Sequence, residues 1–529
     1  MAQPFAKLWL LAPLLVLATC DPEPLAPLID NRTSEVIFSP QPPEATHNLR
    51  VAALIAGARE SIDVAMYSFD NAEVEAALRD AAARGVKIRL IYEGAKHDRK
   101  LEGEARGRSR SARLEAAGID VRYVNKIMHH KFMIADGPRD ELDKAATAII
   151  ATGSANWSDA AATRYDENTL FLQGHVELAL RMQAEFNLLW DHSRDFVANP
   201  ELLFERSELE ISEADIIDAD TDHTHALFTS ANFEIVGATT FTMTGRRTIS
   251  DALVEAIAGA SDSIRIAVGH LRDRSIAEAL ITKVRQDPDV DIRVYLDAQE
   301  YVSAAAYARQ IKHLRECLAA AQDDESAQGE CLARGYRFGY MIARAGVEVR
   351  YKWYSYSWSY PFADQMHHKY MIIDGDELWT GSYNLSNNAE HNSMENMLVF
   401  SGAEHAELID AYAANFESLW ITGRDQGLFE RLLEQITTTE RIPLLFEPMA
   451  LEWEEVRELR ALIREHCPRV HTRGFRREPR SHAVCCVLRP PEHPVRDWNQ
   501  RVRSPRAAIE RPWLREELEL ASSLRHRCP

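Results

Sequence analysis

One ten-residue sequence occurs twice in this chain, and the repeat constrains the fold more than any other feature. MHHKFMIADG begins at Met128, and MHHKYMIIDG begins at Met366. The surrounding residues also correspond, because VAALIAGARESIDVAMYSF, from Val51, aligns with DALVEAIAGASDSIRIAVGHL, from Asp251. Internal similarity of this kind indicates a duplicated structural unit. We therefore expect two copies of one fold.

Each copy alternates helix-like and strand-like segments. After the aligned pair come EAALRDAAARGVKIRLIYEGA in one copy and AEALITKVRQDPDVDIRVYLDAQ in the other, each a helix and then a strand. A third strand, AAGIDVRYV or RAGVEVRYK, precedes each MHHK sequence. This order is typical of α/β units around a largely parallel sheet.

The repeat also sets the expected domain boundaries. We place the first unit at 34–205 and the second at 232–425, with an acidic linker at 206–231. A helical extension is expected at 426–467, and the Arg- and Pro-rich residues 468–529 are typical of a disordered tail. The length of 529 residues accommodates these parts.

The first 20 residues are typical of an export signal. Lys7 precedes an apolar stretch from Leu8 to Thr19, which is too short to span a bilayer. Cys20 follows in LATC, which resembles the lipidation site of bacterial lipoproteins, so Cys20 is a lipidation candidate. The alternative is an ordinary signal peptide with a chance cysteine. Both interpretations predict an exported protein, which is periplasmic, membrane-anchored or secreted.

Each repeated strand presents a histidine and a lysine on one face. Residues i and i+2 of a strand point the same way, so His129 lies beside Lys131 and His367 beside Lys369. An ammonium group next to an imidazole disfavours a metal ion, and we expect no metal and no cofactor. The same pair favours an anion such as a phosphate diester, because lysine meets its charge while histidine approaches phosphorus.

Hydroxyl and amide side chains recur after each strand. GSAN places Ser154 and Asn156 on one face, and GSYN does the same for Ser382 and Asn384. Such groups can donate hydrogen bonds to phosphate oxygens. We expect these four residues to bind the substrate phosphate.

Two pairs of carboxylates complete the repeated pattern. Glu167 and Glu395 come one strand later, and each could hold a histidine through its Nδ1 proton. Asp136 and Asp374 fall on the strand face opposite the catalytic histidines, so we expect them to be structural and to pair with backbone or a basic group.

Two histidines are chemically more useful than one. A neutral imidazole can attack phosphorus while a protonated one donates to the departing oxygen. Two copies facing each other across a pseudo-two-fold axis would supply both forms at one site.

These residues resemble the paired motifs of the phospholipase D superfamily. HxKxxxxD begins at His129 and again at His367, and each is followed by GSxN and then by Glu-Asn. The resemblance spans roughly residues 34–425. It implies two pseudo-symmetric α/β/α sandwich units, each a mostly parallel mixed sheet flanked by helices, with one active site at their interface.

The resemblance also implies roles for the repeated residues. It implies a covalent phosphohistidine, with His129 as the nucleophile and His367 as the general acid, although pseudo-symmetry leaves the reverse open. The lysines and asparagines would bind phosphate, the serines would support it, and the glutamates would orient the histidines. One departure is an insertion of ten residues between Asp136 and Gly153, which we interpret as a hairpin excursion that preserves the site.

Superfamily membership predicts the reaction better than the substrate. We favour hydrolysis of phospholipid headgroup diesters at a membrane surface, because export places the enzyme near phospholipid and a net charge of −20 disfavours extended nucleic-acid binding. SIDVAMYSFDNAEVEAAL resembles the nuclease and cardiolipin hydrolase branch, so an exported metal-independent endonuclease is the alternative. A phosphatidyltransferase resembling cardiolipin synthase is a third possibility. No obligatory protein partner is inferred, and we expect a monomer.

Three further segments allow two interpretations each. YKWYSYSWSYPF, from Tyr351, either contacts lipid, a headgroup or bases, or packs as an edge strand. Cys317 and Cys331 either form a disulfide or remain buried thiols. A basic cluster either binds a polyanion or is a solvated loop; its members are Lys96, Arg99, Lys100, Arg106, Arg108, Arg110 and Arg113.

Overall fold

The structure covers most of the repeated region. A computed structural model describes residues 32–197, 207, 209–218, 223–355, 364–439, 442–443, 447–466 and 487–488. The expected export signal with Cys20, nearly all of the expected tail, and most of the aromatic stretch after Ser355 lie outside the described residues.

Two eight-stranded sheets organise the described residues. The strands of the first sheet are β1 (Thr33–Ser39), β2 (Ser61–Met66), β3 (Lys87–Tyr92), β4 (Asp120–Tyr123), β5 (Lys131–Ala135), β6 (Ile149–Gly153), β7 (Glu167–Gln173) and β8 (Arg194–Asp195). The strands of the second sheet are β9 (Thr224–Phe228), β10 (Ser263–Val268), β11 (Asp291–Asp297), β12 (Glu348–Trp353), β13 (Lys369–Ile373), β14 (Glu377–Gly381), β15 (Asn396–Ser401) and β16 (Met449–Glu452).

The two sheets have the same strand order. The first runs β1-β7-β6-β5-β2-β3-β4-β8, and the second runs β9-β15-β14-β13-β10-β11-β12-β16. The predicted duplicated α/β fold with mixed sheets is therefore confirmed.

Parallel pairing is less extensive than we expected. It joins β2 to β3 and β3 to β4, and equivalently β10 to β11 and β11 to β12. The remaining neighbours in both sheets are antiparallel. The expectation of a largely parallel sheet is corrected, because the chain makes antiparallel turns from β5 to β7 and from β13 to β15 instead of helical crossovers.

Helices flank both sheets. Those of the first half are α1 (His47–Gly57), α2 (Ala72–Ala83), α3 (Glu93–Asp98), α4 (Gly103–Gly107), α5 (Arg110–Ala116), α6 (Asp159–Thr163) and α7 (Val176–Asp191). They are followed by α8 (Glu213–Asp218), α9 (Thr248–Gly259), α10 (Arg274–Gln286), α11 (Ala304–Ala321), α12 (Glu325–Ala333), α13 (Phe338–Ala345), α14 (Asn387–Asn392), α15 (Ala406–Trp420), α16 (Leu428–Thr439) and α17 (Trp453–His466). Among the described residues, no helix is long and apolar enough to cross a membrane.

Equivalent local signals start equivalent helices. The Asn71 side chain accepts a hydrogen bond from the backbone N–H of Val74 and caps α2. Asp273 holds the same position in the second copy and caps α10 through the N–H of Ile276. Short polar side chains at this position satisfy backbone donors that a helix leaves without partners. Helix starts are thus conserved between the copies although the capping residue differs.

A shared core joins the halves. One buried cluster combines Phe132 of β5 and Tyr370 of β13 with Phe186 of α7 and Tyr412 of α15. Each sheet packs outer helices in a second cluster on its other face. Every residue of β2 is buried, because both faces of the strand are covered. Such a strand carries apolar side chains, or polar side chains that have partners inside the protein.

The second unit is larger than the repeat predicts. Strand β9 lies in the expected linker at 206–231, and β16 lies in the expected extension at 426–467. Both pair at the edges of the second sheet, and α16 and α17 join its core. The sequence did not reveal this because the counterpart of β16 in the first sheet, β8, has only two residues.

The ten-residue insertion forms the predicted hairpin excursion. It contains the short helix Leu142–Ala146, after which β6 returns antiparallel to β5. Met133 pairs with Ala151 in the first copy, and Met371 pairs with Trp379 at the same register in the second. The insertion therefore leaves the following GSAN residues in register.

A disulfide closes the insertion in the second copy. Cys317 of α11 and Cys331 of α12 are bonded, which confirms the first of the two cysteine interpretations. A crosslink over a loop of about 15 residues contributes about 3 kcal/mol against local unfolding. Helix α11 buries none of its residues, so this contribution stays local.

The double substitution Cys317→Ser with Cys331→Ser is expected to speed proteolysis within 304–333 severalfold. The melting temperature of the rest of the protein should change by less than about 2 °C, because α11 is not part of either sheet's core. Limited proteolysis with mass spectrometry and thermal denaturation would measure these quantities. A large fall in the main unfolding transition would contradict a purely local role.

Candidate active site

Both repeated motifs lie where the halves meet. The backbone N–H of His129 donates to the Met394 carbonyl at 3.1 Å, and that of His367 donates to the Asp166 carbonyl at 3.0 Å. Ile127–Met128 also pairs in parallel with Ser393–Met394. Each motif strand is thus held by backbone of the opposite half.

The catalytic candidates form two crossed histidine–glutamate pairs. Nδ1 of His129 lies 2.8 Å from Oε2 of Glu395, and Nδ1 of His367 lies 2.6 Å from Oε1 of Glu167. Each carboxylate therefore comes from the other copy. A carboxylate at Nδ1 fixes the tautomer that leaves Nε2 available for chemistry. The sequence suggested such pairs but not that they cross.

The lysines lie against the histidines. Nζ of Lys131 donates to the His129 carbonyl at 2.6 Å and lies 3.3 Å from both nitrogens of that ring. Nζ of Lys369 donates to the His367 carbonyl at 2.6 Å and lies 3.2 Å from Nδ1. Both lysines are almost fully buried. Two ammonium groups therefore converge on one small region.

Burial and charge shift the proton affinities of these groups. Burial, then the charges of Lys131 and Lys369, hold the pKa of His129 and that of His367 well below the usual range. Burial raises the pKa of Glu167 to about 8 and that of Glu395 to about 7. These shifts favour the neutral imidazole. A negative charge added beside the histidines would raise their pKa.

Burial also weakens the basicity of the lysines. It lowers the pKa of Lys131 to about 7 and that of Lys369 to about 8, although the nearby glutamates oppose this change. Two desolvated ammonium groups are stabilised by an anion placed between them. The electrostatics thus suit a phosphate.

The asparagines carry polar atoms without partners. The side-chain oxygens of Asn156 and Asn384 are buried, and neither accepts a hydrogen bond from a described residue. Each asparagine follows the buried end of its strand, β6 or β14, at the same register. A buried acceptor without a partner is costly, so each oxygen suits a donor on a bound ligand, whereas a phosphate oxygen would be met by the NH2 group of the same amide.

The two serines lie behind the carboxylates. Ser154 and Ser382 have no exposed surface. Oγ of Ser382 donates to Glu395 at 2.8 Å, and Oγ of Ser154 accepts from the N–H of Asn168 at 2.9 Å. Both hydroxyls thus pack against groups next to the histidines, and their expected contact with phosphate stays a prediction.

The motif aspartates bind backbone. The carboxylate of Asp136 accepts from the N–H groups of 59–61 at 2.8–3.1 Å. The carboxylate of Asp374 accepts from those of 261–263 at 2.7–3.1 Å. Both residues have left-handed backbone, with φ of 48° and 51°. Each aspartate thus ties the end of its motif strand to the start of the neighbouring strand.

A second layer of crossed contacts, which was not predicted, lies beside the histidine–glutamate pairs. Nδ2 of Asn396 lies 3.2 Å from Nδ1 of His130, and Nδ2 of Asn168 lies 3.1 Å from Nδ1 of His368. In the first copy Nε2 of His130 also meets Glu185 at 3.1 Å. The signal was present, since the second histidine of each MHHK and the asparagine after each glutamate are repeated.

The structure shows one possible metal-ligand group in the part of the chain that it describes, and that group lies away from the motifs. Among the described residues, one group of carboxylates is close enough to hold an ion, formed by Glu115, Asp120 and Asp195. These residues lie on α5, β4 and β8, away from both histidine pairs.

Internal partners occupy most of the basic cluster. Arg99 and Arg106 donate to the Phe196 carbonyl. The ion pairs are Lys96–Glu93, Arg108–Glu104, Arg110–Glu75 and Arg113–Glu75. The structure thus favours a structural interpretation of these residues over a surface for a polyanion.

Comparison with protein families identifies both halves. A family model described as cardiolipin synthase, PLD-like domain, matches residues 51–190 and 253–420, which together make up more than half of the chain. Both matched segments contain one of the crossed histidines.

Curated relatives match one part of the chain. Mitochondrial cardiolipin hydrolase of Danio rerio is 29% identical over 147 residues, covering 27% of this chain and 57% of the relative. The Mus musculus protein of the same name is 27% identical over 144 residues, with the same coverage. The chain thus spans little more than half the length of these relatives.

Solved structures are similar at low identity. Nuc, a phospholipase D family member from Salmonella typhimurium, is 18% identical, with 37% of this chain and 93% of that chain covered and a TM-score of 0.24.

Proposed function

Because the chain belongs to the phospholipase D superfamily, we propose that it hydrolyses phospholipid headgroup diesters through a covalent phosphohistidine. The observation that carries this proposal is the pair of crossed histidine–glutamate contacts, with both lysines beside them. Relatives named as cardiolipin hydrolases support a phospholipid substrate. An N-terminal export segment would place the enzyme next to membrane lipid.

The first half-reaction forms a phosphorus–nitrogen bond. Nε2 of His129 attacks phosphorus, the bond from phosphorus to the headgroup oxygen breaks, and protonated His367 gives its Nε2 proton to that oxygen. Glu395 keeps the His129 ring in the required tautomer. The lysines and the two asparagine amides balance the charge that develops on the phosphate oxygens.

The second half-reaction releases phosphatidic acid. His367, now neutral, takes a proton from water as the water oxygen attacks phosphorus. The phosphorus–nitrogen bond breaks, and its electron pair returns to Nε2 of His129. Both histidines are then in their starting protonation states.

Vesicle hydrolysis tests this proposal. Full-length protein is incubated in EDTA with phosphatidylethanolamine or phosphatidylglycerol vesicles, and in parallel with single-stranded DNA. We expect release of headgroup and phosphatidic acid, and no cleavage of DNA. Cleavage of DNA alone would refute the lipid substrate and favour the endonuclease alternative. Added ethanol should divert part of the product to phosphatidylethanol if a covalent phosphatidyl intermediate forms.

A further inference from the structure

The two copies differ where the chain leaves β2 and β10. The first copy continues as Tyr67-Ser68-Phe69-Asp70, and the second continues as Gly269-His270-Leu271-Arg272. A cation therefore stands at Arg272 where the first copy has the carboxylate of Asp70. The two copies thus carry side chains of opposite charge at this position, and in the first copy Arg110 lies beside Asp70 and donates to its carbonyl at 3.3 Å.

The segment around His270 lies against the second motif. The N–H of Gly269 donates to the His368 carbonyl at 3.2 Å, and a Cβ at Gly269 would lie 2.7 Å from the Met366 carbonyl. Leu271–Arg272 then pairs in parallel with Leu385–Ser386, directly after Asn384. His270 and Arg272 are thus positioned between the catalytic histidine and the phosphate-binding amide of the second copy.

His270 lies close enough to act on both histidine pairs. It contributes to lowering the pKa of His129 and that of His367. The aligned position of the first copy is Ser68, which cannot carry a charge. The two copies therefore differ in the titratable side chain that they place beside the shared site.

A buried carboxylate holds both side chains. Oε1 of Glu300 lies 3.0 Å from Nδ1 of His270, and it accepts from Nε of Arg272 at 2.9 Å and from Nη2 at 2.6 Å. Glu300 has no exposed surface, whereas His270 and Arg272 each keep 26% of their side chains exposed. The ring of Tyr336 covers the guanidinium at 4.2 Å. Among the described residues, no side chain or backbone group pairs with Nη1 of Arg272 or with Nε2 of His270, so these two atoms can contact a ligand.

We propose that His270 and Arg272 form a second anion subsite, which binds a second phosphate of a phospholipid that carries two. This inference rests on the proposed function. The scissile phosphate already has two lysines and two asparagine amides, so it does not need these groups. An imidazole and a guanidinium that share one carboxylate keep further donors for an anion, and preorganised arginine favours phosphate.

The test compares lipids with one and two phosphates. Cardiolipin vesicles, with two phosphodiesters per molecule, are compared with phosphatidylglycerol vesicles of equal total phosphate. We expect the wild type to favour cardiolipin at least tenfold in kcat/KM. The double variant His270→Gln, Arg272→Gln should lose most of that preference, and Arg272→Lys should recover part of it. Arg274→Gln, an exposed and nearby arginine, is the matched control and should keep the preference.

Each other outcome overturns the subsite. The proposal is wrong if the wild type shows no preference for cardiolipin over phosphatidylglycerol. It is also wrong if the double variant loses activity on both lipids in equal proportion, which is the result that a purely structural ion pair predicts. If no lipid is hydrolysed, the proposed function fails separately, and vesicle cosedimentation of His129→Ala protein still tests the subsite: Arg272→Gln in that background must weaken binding to cardiolipin more than to phosphatidylglycerol. DNA cleavage that depends on Arg272 would refute the lipid ligand.

Discussion

Alanine in place of His129 or His367 is expected to lower kcat for phosphodiester hydrolysis by about 10³–10⁴. One substitution removes the attacking nitrogen, and the other removes the proton donor. The two losses should not add in the double variant, because both histidines act in one step. Steady-state hydrolysis of phosphatidylethanolamine vesicles measures them. His313→Ala, at an exposed histidine of α11, is the control for the substitution itself.

The leaving group distinguishes the two histidines. A nitrophenolate needs no proton to depart, so His367→Ala should still form the phosphohistidine from a nitrophenyl phosphodiester and release a burst of nitrophenolate, although turnover stays slow because His367 also activates water. His129→Ala should show no burst, because the attacking nitrogen is still missing. A burst from His129→Ala instead would reverse the two roles. Full activity of either alanine variant on lipid would contradict the two-histidine mechanism.

The substitution Asp374→Ala is expected to lower the free energy of unfolding by about 2–3 kcal/mol, since hydrogen bonds to a charged group contribute about 1.5–3 kcal/mol each and are not additive. Three backbone N–H groups and the Ser261 hydroxyl lose their acceptor. The left-handed φ of 51° adds strain to an alanine. Chemical denaturation measures the change. Asp376→Ala, two residues away and exposed, is the matched control.

The pH dependence of that loss has a defined sign. Burial alone would raise the pKa of Asp374, but the N–H groups of 261–263 lower it, and the lowering prevails. The ionised form is therefore favoured in the folded state. Its contribution is present above about pH 4, the pKa of an unfolded aspartate, and is lost as the pH falls through the folded pKa. The difference between wild type and Asp374→Ala should shrink in acid, and a constant difference would contradict this origin.

The repeated sequence predicted the residues of the site more completely than it predicted the strands at the sheet edges. Period-two alternation placed each histidine beside its lysine, and duplication predicted one site made by two motifs. Strands β9 and β16 were missed because edge pairing depends on distant partners and has no repeated sequence. Alternation placed each serine on the same face as its asparagine, but the hydrogen bond from Ser382 to Glu395 needed the structure.

The partner of each histidine needed the structure. Glu167 and Glu395 occupy the same place in each copy, so the sequence allows either pairing. Only the contact between halves, through Met128 and Met394, decides that the pairs cross. The difference between the copies at His270 can be read from the sequence. The contact between His270 and Glu300 could not be predicted, because it depends on how β11 approaches the second motif.

The crossed pairs make the covalent connection between the copies important at low protein concentration. A single copy could complete its site only by associating with a second molecule, and that association would be lost on dilution. Joining two copies in one chain replaces this equilibrium with a high effective concentration of each half near the other. The site therefore stays assembled at any dilution. Substitutions in one copy can alter that copy's side of the site while the other copy stays attached.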